Sequence, residues 1–420
     1  MLPISTIKYI IYFLLSFIIA YIDQRNEIFS QVWKSILLII LVLDIVRYNS
    51  FKYKRPTFLK LSYLWGIKNA VNFGLLEYPI QTISYGVKFS ILPILTEYFD
   101  RKFSTKSNLF NIGLLFSQYF VLANIPFLLG LLGGSEEAVE YDGELAYTGI
   151  FTGQHPTAIV ASMSLIFILY AITDKQKKII YRLYNVLLFI LDSYILYTSF
   201  TRTGWVMGII GILIFFSFNK LNFRTILVEI SICAAIFIGY NYLLENNERF
   251  YNRVNDIIND GTYEADRGSG RLIYAAVSLQ LYEESDTATR LIGTGIDPLM
   301  DNMFYKIGNR IYSHNGWIDA LTGNGAIGIT LMALSCIFVI AYLIKHRGNK
   351  YSDIAAACIT MYYSYQFTQG GVFFYQDLLL AISLALIMNN TKAKVHTDVD
   401  MFGLKFIDVN KQKSDDVPTI

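Results

Sequence analysis

Charged residues are scarce in this chain of 420 residues: Asp, Glu, Lys and Arg together make up 16% of it, whereas 54% is hydrophobic. A soluble domain carries about 25% charged residues. Cysteine is also rare, and Cys233, Cys336 and Cys358 all lie in apolar runs, so neither a disulfide framework nor a zinc cluster is indicated. A Walker A sequence, a Rossmann glycine pattern and an HExxH motif are absent. Nucleotide-driven transport therefore has no support, and we expect neither a metal nor a cofactor.

Long apolar runs are abundant instead. Residues 4–22, 109–132 and 225–243 are each long enough to cross about 30 Å of hydrocarbon at about 1.5 Å per residue. Backbone amides cannot remain unpaired in lipid, so such runs must be helices. We predict an all-α, polytopic transmembrane helix bundle of about twelve spans. The predicted spans are 4–22, 28–46, 61–79, 80–99, 108–133, 157–173, 179–200, 203–218, 225–243, 316–344, 352–371 and 373–389.

Basic residues mark alternate connections between these spans. The connections rich in Lys and Arg are 47–60, 100–107, 174–178, 219–224 and 345–350. By contrast, residues 134–156 contain no Lys or Arg and five acidic residues. Because Lys and Arg resist translocation, this bias predicts that 134–156 faces outward and that both termini are cytoplasmic.

The same pattern divides the chain into four segments. Residues 1–243 hold the first nine spans, 244–315 form one large extracytoplasmic loop, 316–389 hold the last three spans, and 390–420 form a polar cytoplasmic tail. The loop is far longer than a turn between two helices needs. It is therefore the segment where we expect the chemistry.

Arginines on the outer side are the first candidates for that chemistry. Arg202 lies between the seventh and eighth spans, where a positive charge breaks the charge pattern; an arginine that snorkels to the headgroups is the alternative explanation. Arg267 and Arg271 flank Ser269, a predicted N-cap, so Arg271 lies in a first helical turn that favours an anion. This arrangement indicates a phosphate or diphosphate site. A surface arginine paired with a nearby carboxylate, Glu264 or Asp266, is the alternative.

Histidines provide the second set of candidates, and the chain has only four of them. His314 lies where the large loop re-enters the membrane, and a neutral imidazole suits a general base near pH 7. An interfacial histidine bonded to a headgroup is the alternative. His155, at the start of the sixth span, can line the same cavity or serve only in a helix-start turn.

Carboxylates within the predicted spans are costly in lipid and should face the protein interior. They are Asp192, Glu229 and Asp319. We expect structural pairing for all three. Because Asp319 follows His314 by five positions, a continuous helix would point them about 140° apart, and Asp319 is not expected to orient the imidazole.

Several of these segments resemble motifs of the O-antigen polymerase and ligase superfamily (Wzy and WaaL type). Thr201-Arg202-Thr203-Gly204 is similar to its Ser-Arg-Ser-Gly motif, with Thr in place of Ser. Its arginine helix and following Gly-x-Gly resemble Ser269-Gly270-Arg271 and Gly293-Thr294-Gly295, although Tyr274 stands near the place where tryptophan is often found. The His-Asn motif with its later glycines resembles His314-Asn315-Gly316 and the segment 323–328, and residues 149–156 match a weaker motif. The motifs cover about 149–330, and the order of their segments is also that of the family.

The resemblance implies a GT-C-like glycosyltransferase in the bacterial cytoplasmic (inner) membrane, working without a metal on a polyprenyl-diphosphate-linked oligosaccharide. By resemblance, Arg202 and Arg271 hold the diphosphate and His314 acts on the acceptor hydroxyl. We expect Arg267, His155, Asn315 and Arg290 to be substrate-binding residues. Membrane lipid, a chain-length regulator and a flippase of the same pathway are the expected partners, and nucleic acid is not.

Three functions compete at this point. The leading one is a Wzy-type polymerase that joins lipid-linked repeat units into O-antigen, capsule or exopolysaccharide. An O-antigen ligase uses the same donor but transfers the glycan to lipid A core. A flippase or other transporter of lipid-linked oligosaccharide is favoured by Lys68, Glu77 and Lys88, which lie within predicted spans, but the distinctive residues concentrate on one outer loop rather than in repeated halves.

Overall fold

A computed structural model describes residues 4–47, 54–103, 105–133, 140–141, 144–151, 153–218, 238, 241–242, 245–246, 271–371 and 373–388. Within these ranges the protein is helical, apart from one short antiparallel pair, β1 (Glu140–Tyr141) and β2 (Glu144–Leu145), with Glu140 opposite Leu145. The predicted all-α architecture is confirmed.

Nine helices lie within the described residues up to 218. They are α1 (Ile4–Asp23), α2 (Glu27–Arg47), α3 (Thr57–Ala70), α4 (Gly74–Glu77), α5 (Pro79–Lys102), α6 (Lys106–Leu128), α7 (Gln154–Thr173), α8 (Ile179–Thr198) and α9 (Arg202–Ser217). Three further helices lie in the segment that the sequence predicts to be the large outer loop, and the name outer loop is kept for it below: α10 (Arg271–Glu284), α11 (Thr287–Ile292) and α12 (Ile296–Ile307). The last three are α13 (Gly316–Lys345), α14 (Ser352–Thr368) and α15 (Phe374–Met388).

Five helices in the described ranges are long and apolar enough to cross a membrane: α2 from Ile28, α6, α7, α8 and α13. Shorter apolar stretches lie at Phe13–Asp23, in α9 and in α15. The protein is therefore a polytopic helical membrane protein. The number twelve stays a prediction, because the span at 225–243 falls outside the described residues except at 238 and 241–242.

The predicted span 61–79 is wrong in its second half, because α3 ends at Ala70. The chain then turns through α4, and Pro79 begins α5 at a position where its missing N–H costs nothing. The main chain at this break is hydrogen-bonded to the outer loop, since the N–H of Phe73 donates to the carbonyl oxygen of Gly293 at 3.1 Å. A distant segment therefore bonds to the main chain just beyond the end of this helix.

Lys68 has a structural role at the same break. Its ammonium donates to the carbonyl oxygens of Ile292 at 2.5 Å and Val71 at 3.0 Å. The side chain thus joins α3 to the outer loop. This structural role explains a lysine within a predicted span without transport.

Glycines allow three backbones to cross at this junction. A Cβ on Gly293 would lie 2.4 Å from the carbonyl oxygen of Gly323, and one on Gly295 would lie 2.8 Å from Cα of Gly74. Gly325 interrupts α13 with φ 70° and ψ −175°, and its Cβ would lie 2.4 Å from the carbonyl oxygen of Leu291. The glycines of both motifs thus allow the outer loop to pack closely against α3, α4 and α13.

Helix α7 forms the centre of the bundle, with nearly every side chain from Thr157 to Ile168 buried. Gly204 of α9 packs against Ala158, and the Ser162 hydroxyl donates to the Gly204 carbonyl at 3.0 Å. Small residues permit such close helix contacts. Because these contacts lie near the start of both helices, the first residues of α7 and α9 share one end of the bundle.

Helix α14 runs in the opposite direction beside α9. The ring of Tyr170 lies 6.3 Å from that of Phe215, near the end of α9, and 4.9 Å from that of Tyr351, just before α14, so the last turn of α14 lies at the same end as the first turn of α9. The charge pattern predicts that this end faces outward. The outer-loop helices α10 to α12 pack on this end as well, through α13 and the α3–α4 break.

Candidate functional site

His314 lies in a tightly held turn between α12 and α13. Its φ of 55° places it in the left-handed region, where few residues other than glycine lie. On one side, the N–H of buried Ser313 donates to Oδ1 of Asp319 at 3.0 Å. On the other side, Asn315 is the N-cap of α13, and its Oδ1 accepts from the N–H groups of Trp317 at 3.0 Å and Ile318 at 3.2 Å. The turn is therefore fixed by both neighbours of the histidine.

The predicted structural pairing of Asp319 is confirmed by this bond. The continuous helix from His314 to Asp319 is wrong, since α13 begins at Gly316. Asp319 supports the histidine through the main chain of Ser313. For Asp192 the expected pairing is wrong within the described residues, because neither carboxylate oxygen has a hydrogen-bond partner. Glu229 lies outside those residues.

Aromatic rings and one arginine surround the imidazole. The ring of Tyr312 lies 4.6 Å from that of His314, and the ring of Tyr274 lies 6.0 Å away. Burial, followed by the positive charge of Arg271, lowers the pKa of His314 to about 4. The imidazole is therefore neutral at pH 7, able to form hydrogen bonds but weakly basic.

Arg271 is the first residue of α10 and is half-buried. Its Nη1 donates to the main-chain carbonyl oxygen of Thr368 at 2.9 Å, in the last turn of α14. The amide Nδ2 of Asn315 donates to the next carbonyl, that of Phe367, at 3.1 Å. The starts of α10 and α13 thus meet the end of α14, and this meeting point brings Arg271 and His314 together.

Gln369, which the sequence did not single out, also belongs to this group. Its side-chain Nε2 lies 3.5 Å from Nδ1 of His314, and the residue is only 6% exposed. It follows the last turn of α14, where its own N–H donates to the carbonyl of Tyr365 at 2.9 Å. The one signal in the sequence is a polar residue before Gly370 and Gly371 at the end of an apolar span.

Arg202 and His155 lie at the same end of the bundle as His314. Arg202 is the first residue of α9 and His155 the second of α7, and both are half-buried. The packing of Gly204 on Ala158 places these two helix starts side by side. A second cation and a second imidazole therefore stand at the predicted outer surface.

The remaining predicted residues are placed differently. Both polar atoms of the Asn315 side-chain amide form hydrogen bonds within the protein. Oδ1 accepts in the N-cap of α13, and Nδ2 donates to the carbonyl oxygen of Phe367. Arg290 is exposed on α11 and donates to the carbonyl of Glu283, near the end of α10. That end is about 18 Å along the helix from Arg271. Arg267 lies outside the described residues.

A cavity of about 170 Å³ extends from beneath this turn into the bundle. Aromatic side chains supply much of its wall, among them Trp65, Tyr85 and Tyr312. Asp319 and Asp377 are the carboxylates that line it. Among the residues with described positions, no group of three or more His, Cys, Asp or Glu side chains is placed to hold a metal ion.

Comparison with known families agrees with the motifs. Residues 186–333 match the model of a family described as O-antigen ligase. The match runs from α8 into α13, so it contains Arg202, Arg271 and His314 but not the end of α14. No curated protein matches the chain. The match and the motifs within it support a relationship of this chain to the O-antigen polymerase and ligase superfamily.

Proposed function

We propose that this protein is a polymerase that joins polyprenyl-diphosphate-linked oligosaccharide repeat units into a surface polysaccharide, on the outer face of the bacterial cytoplasmic membrane. The observation that carries the proposal is the placement of Arg271, whose charge acts on His314, near this neutral histidine at the end of the bundle. A permanently charged guanidinium with forked donors suits a diphosphate. A neutral imidazole suits a sugar hydroxyl.

In the proposed reaction, a hydroxyl of one glycan attacks the anomeric carbon of the sugar that is linked to diphosphate on a second lipid. The new C–O bond forms as the C–O bond to the diphosphate breaks, so the polyprenyl diphosphate leaves as an anion. Arg271 and Arg202 stabilise the charge that develops on it. His314 accepts the hydrogen of the attacking hydroxyl.

Binding of the donor also prepares the histidine. The positive charge of Arg271 contributes to the low pKa of His314. A diphosphate placed against that guanidinium opposes its field, which raises the pKa of the imidazole and makes it a stronger base. The base thus strengthens when a donor is present.

Ligation is the second candidate, and the description of the matched family as O-antigen ligase favours it. The donor and the roles of Arg202, Arg271 and His314 would be unchanged. Only the acceptor differs, because a ligase transfers the finished glycan to lipid A core.

The glycans of cells that lack the gene distinguish these two functions. Single repeat units on lipid A core are the expected result for a lost polymerase. Long polymer that is not attached to the core would overturn polymerisation in favour of ligation.

A further inference from the structure

The end of α14 lies outside the matched region yet receives several parts of the site. The carbonyl of Thr368 accepts from Arg271, the carbonyl of Phe367 accepts from Asn315, and the side chain of Gln369 contacts His314. A Cβ on Gly316 would lie 2.2 Å from Oε1 of Gln366, so the start of α13 sits directly on the same turn. The last turn of α14 and the residue that follows it therefore contact Arg271, His314 and Asn315.

Helix-end chemistry explains the first two contacts. The last carbonyls of a helix lack partners within it and form the negative end of its dipole. An arginine and an amide N–H group are suitable donors for them. The Gln369 contact is different, because it comes from a side chain and reaches the imidazole itself.

A neutral histidine carries its hydrogen on one ring nitrogen, and the partner of the other nitrogen decides which. The amide Nε2 of Gln369 can only donate, so at 3.5 Å it faces the lone pair of Nδ1. This orientation of the amide favours the tautomer of His314 that carries its hydrogen on Nε2. Among the described residues, the buried Oε1 of Gln369 has no hydrogen-bond partner.

We propose that Gln369 is a positioning residue that sets which ring nitrogen of His314 carries the hydrogen. While Nε2 of the Gln369 amide faces Nδ1 of His314, Nε2 of the imidazole is a hydrogen-bond donor. A half turn of the amide brings Oε1 to Nδ1–H in nearly the same volume and leaves Nε2 with a free lone pair. That second arrangement is the one that accepts the hydrogen of a sugar hydroxyl, and this part of the inference rests on the proposed function.

The other groups around the imidazole do not make this choice. Arg271 acts on the ring through its charge, and Tyr312 and Tyr274 present their rings to it. Asp319 is bonded to Ser313 rather than to the imidazole. In the described part of the site, Gln369 supplies the hydrogen-bond contact to Nδ1.

Nitrogen-15 NMR of the full-length protein with labelled histidine rings tests the proposal without a substrate. The His314 signals are identified by their loss in His314→Asn, a change that tolerates the left-handed φ. We expect Nε2–H in the wild type and Nδ1–H in Gln369→Glu, because a carboxylate can only accept. Gln369→Met should leave a mixture. The same tautomer in all three proteins would overturn the proposal.

Turnover provides the second test. Gln369→Met should lower kcat about tenfold or more with an unchanged KM for the lipid-linked donor, as expected when the partner of a working histidine is lost. Gln369→Glu should recover most of the rate. The matched control is Gln176→Met, at an exposed site between α7 and α8. Wild-type kcat in Gln369→Met would overturn the proposal, whereas full activity in His314→Asn would overturn the proposed function and leave the NMR result standing.

Discussion

Arg271 and Thr368 are joined by a hydrogen bond of 2.9 Å between guanidinium Nη1 and a main-chain carbonyl oxygen, although 97 positions separate them in the sequence. The bond fixes the first residue of α10 against the last residue of α14. It also holds a positive charge beside His314, whose lowered pKa depends in part on that charge. The fold therefore fixes the position of the Arg271 guanidinium within the site.

Removing this cation should abolish most turnover. Arg271→Ala and Arg202→Ala should each lower kcat by about 10²–10³-fold, the scale of losing one group that stabilises developing negative charge. Lysine at either position should recover only part of the rate, because it lacks the forked donors of arginine. The control is Arg182→Ala: Arg182 also donates to a helix-end carbonyl, that of Ile172 at 2.7 Å, but between α7 and α8. Equal turnover in all of these proteins would end the proposed anion site.

The pH dependence of turnover follows from His314. Its pKa is lowered to about 4, so the neutral form persists as the pH falls from 7 and is lost only as the pH passes through about 4. The acidic limb of kcat/KM should therefore lie near that value. In the complex, a diphosphate on Arg271 raises the pKa, so the acidic limb of kcat should lie at higher pH. A kcat limb at or below the kcat/KM limb would contradict the coupling between donor and histidine.

The glycine crossing should control stability. Gly325→Ala forces a side chain into φ 70° and puts its Cβ 2.4 Å from the Leu291 carbonyl. Gly308→Ala is a control for a positive φ without the close contact, because Gly308 has φ 76° and ψ 1° and a Cβ there meets nothing within 4 Å. The control should lose about 1–2 kcal/mol for the backbone conformation alone. Gly325→Ala should lower the Tm clearly more, and an equal Tm for the two variants would show that the crossing is not tight.

The predicted orientation can be tested by labelling cysteines from outside the cell. In a background without the three native cysteines, Ala288→Cys on exposed α11 should react, and Gln176→Cys between α7 and α8 should be protected. Both side chains are exposed, so a difference in labelling reports the side of the membrane on which each one lies. The reverse pattern would invert the orientation and place the site on the cytoplasmic side.

The sequence predicted the helices well because the bilayer imposes helical structure on long apolar runs. It did not predict the end of α3 at Ala70, where the main chain beyond the helix bonds to Gly293, far along the chain. It identified Arg271 and His314 by residue type and motif, but the low pKa of His314 comes from tertiary burial and from the approach of Arg271. Gln369 was missed for the same reason: only folding gives an ordinary polar residue a histidine to contact.

Chain growth by the purified protein in lipid nanodiscs tests the central claim most directly. The only substrate would be a polyprenyl-diphosphate-linked repeat unit, with a chelator present and no nucleotide sugar. We expect lipid-linked products of increasing length together with released polyprenyl diphosphate. His314→Ala should slow this growth by about 10²–10⁴-fold, the usual contribution of a positioned base, while still binding the donor. No chain growth by the wild type, or growth at the wild-type rate by His314→Ala, would contradict the account.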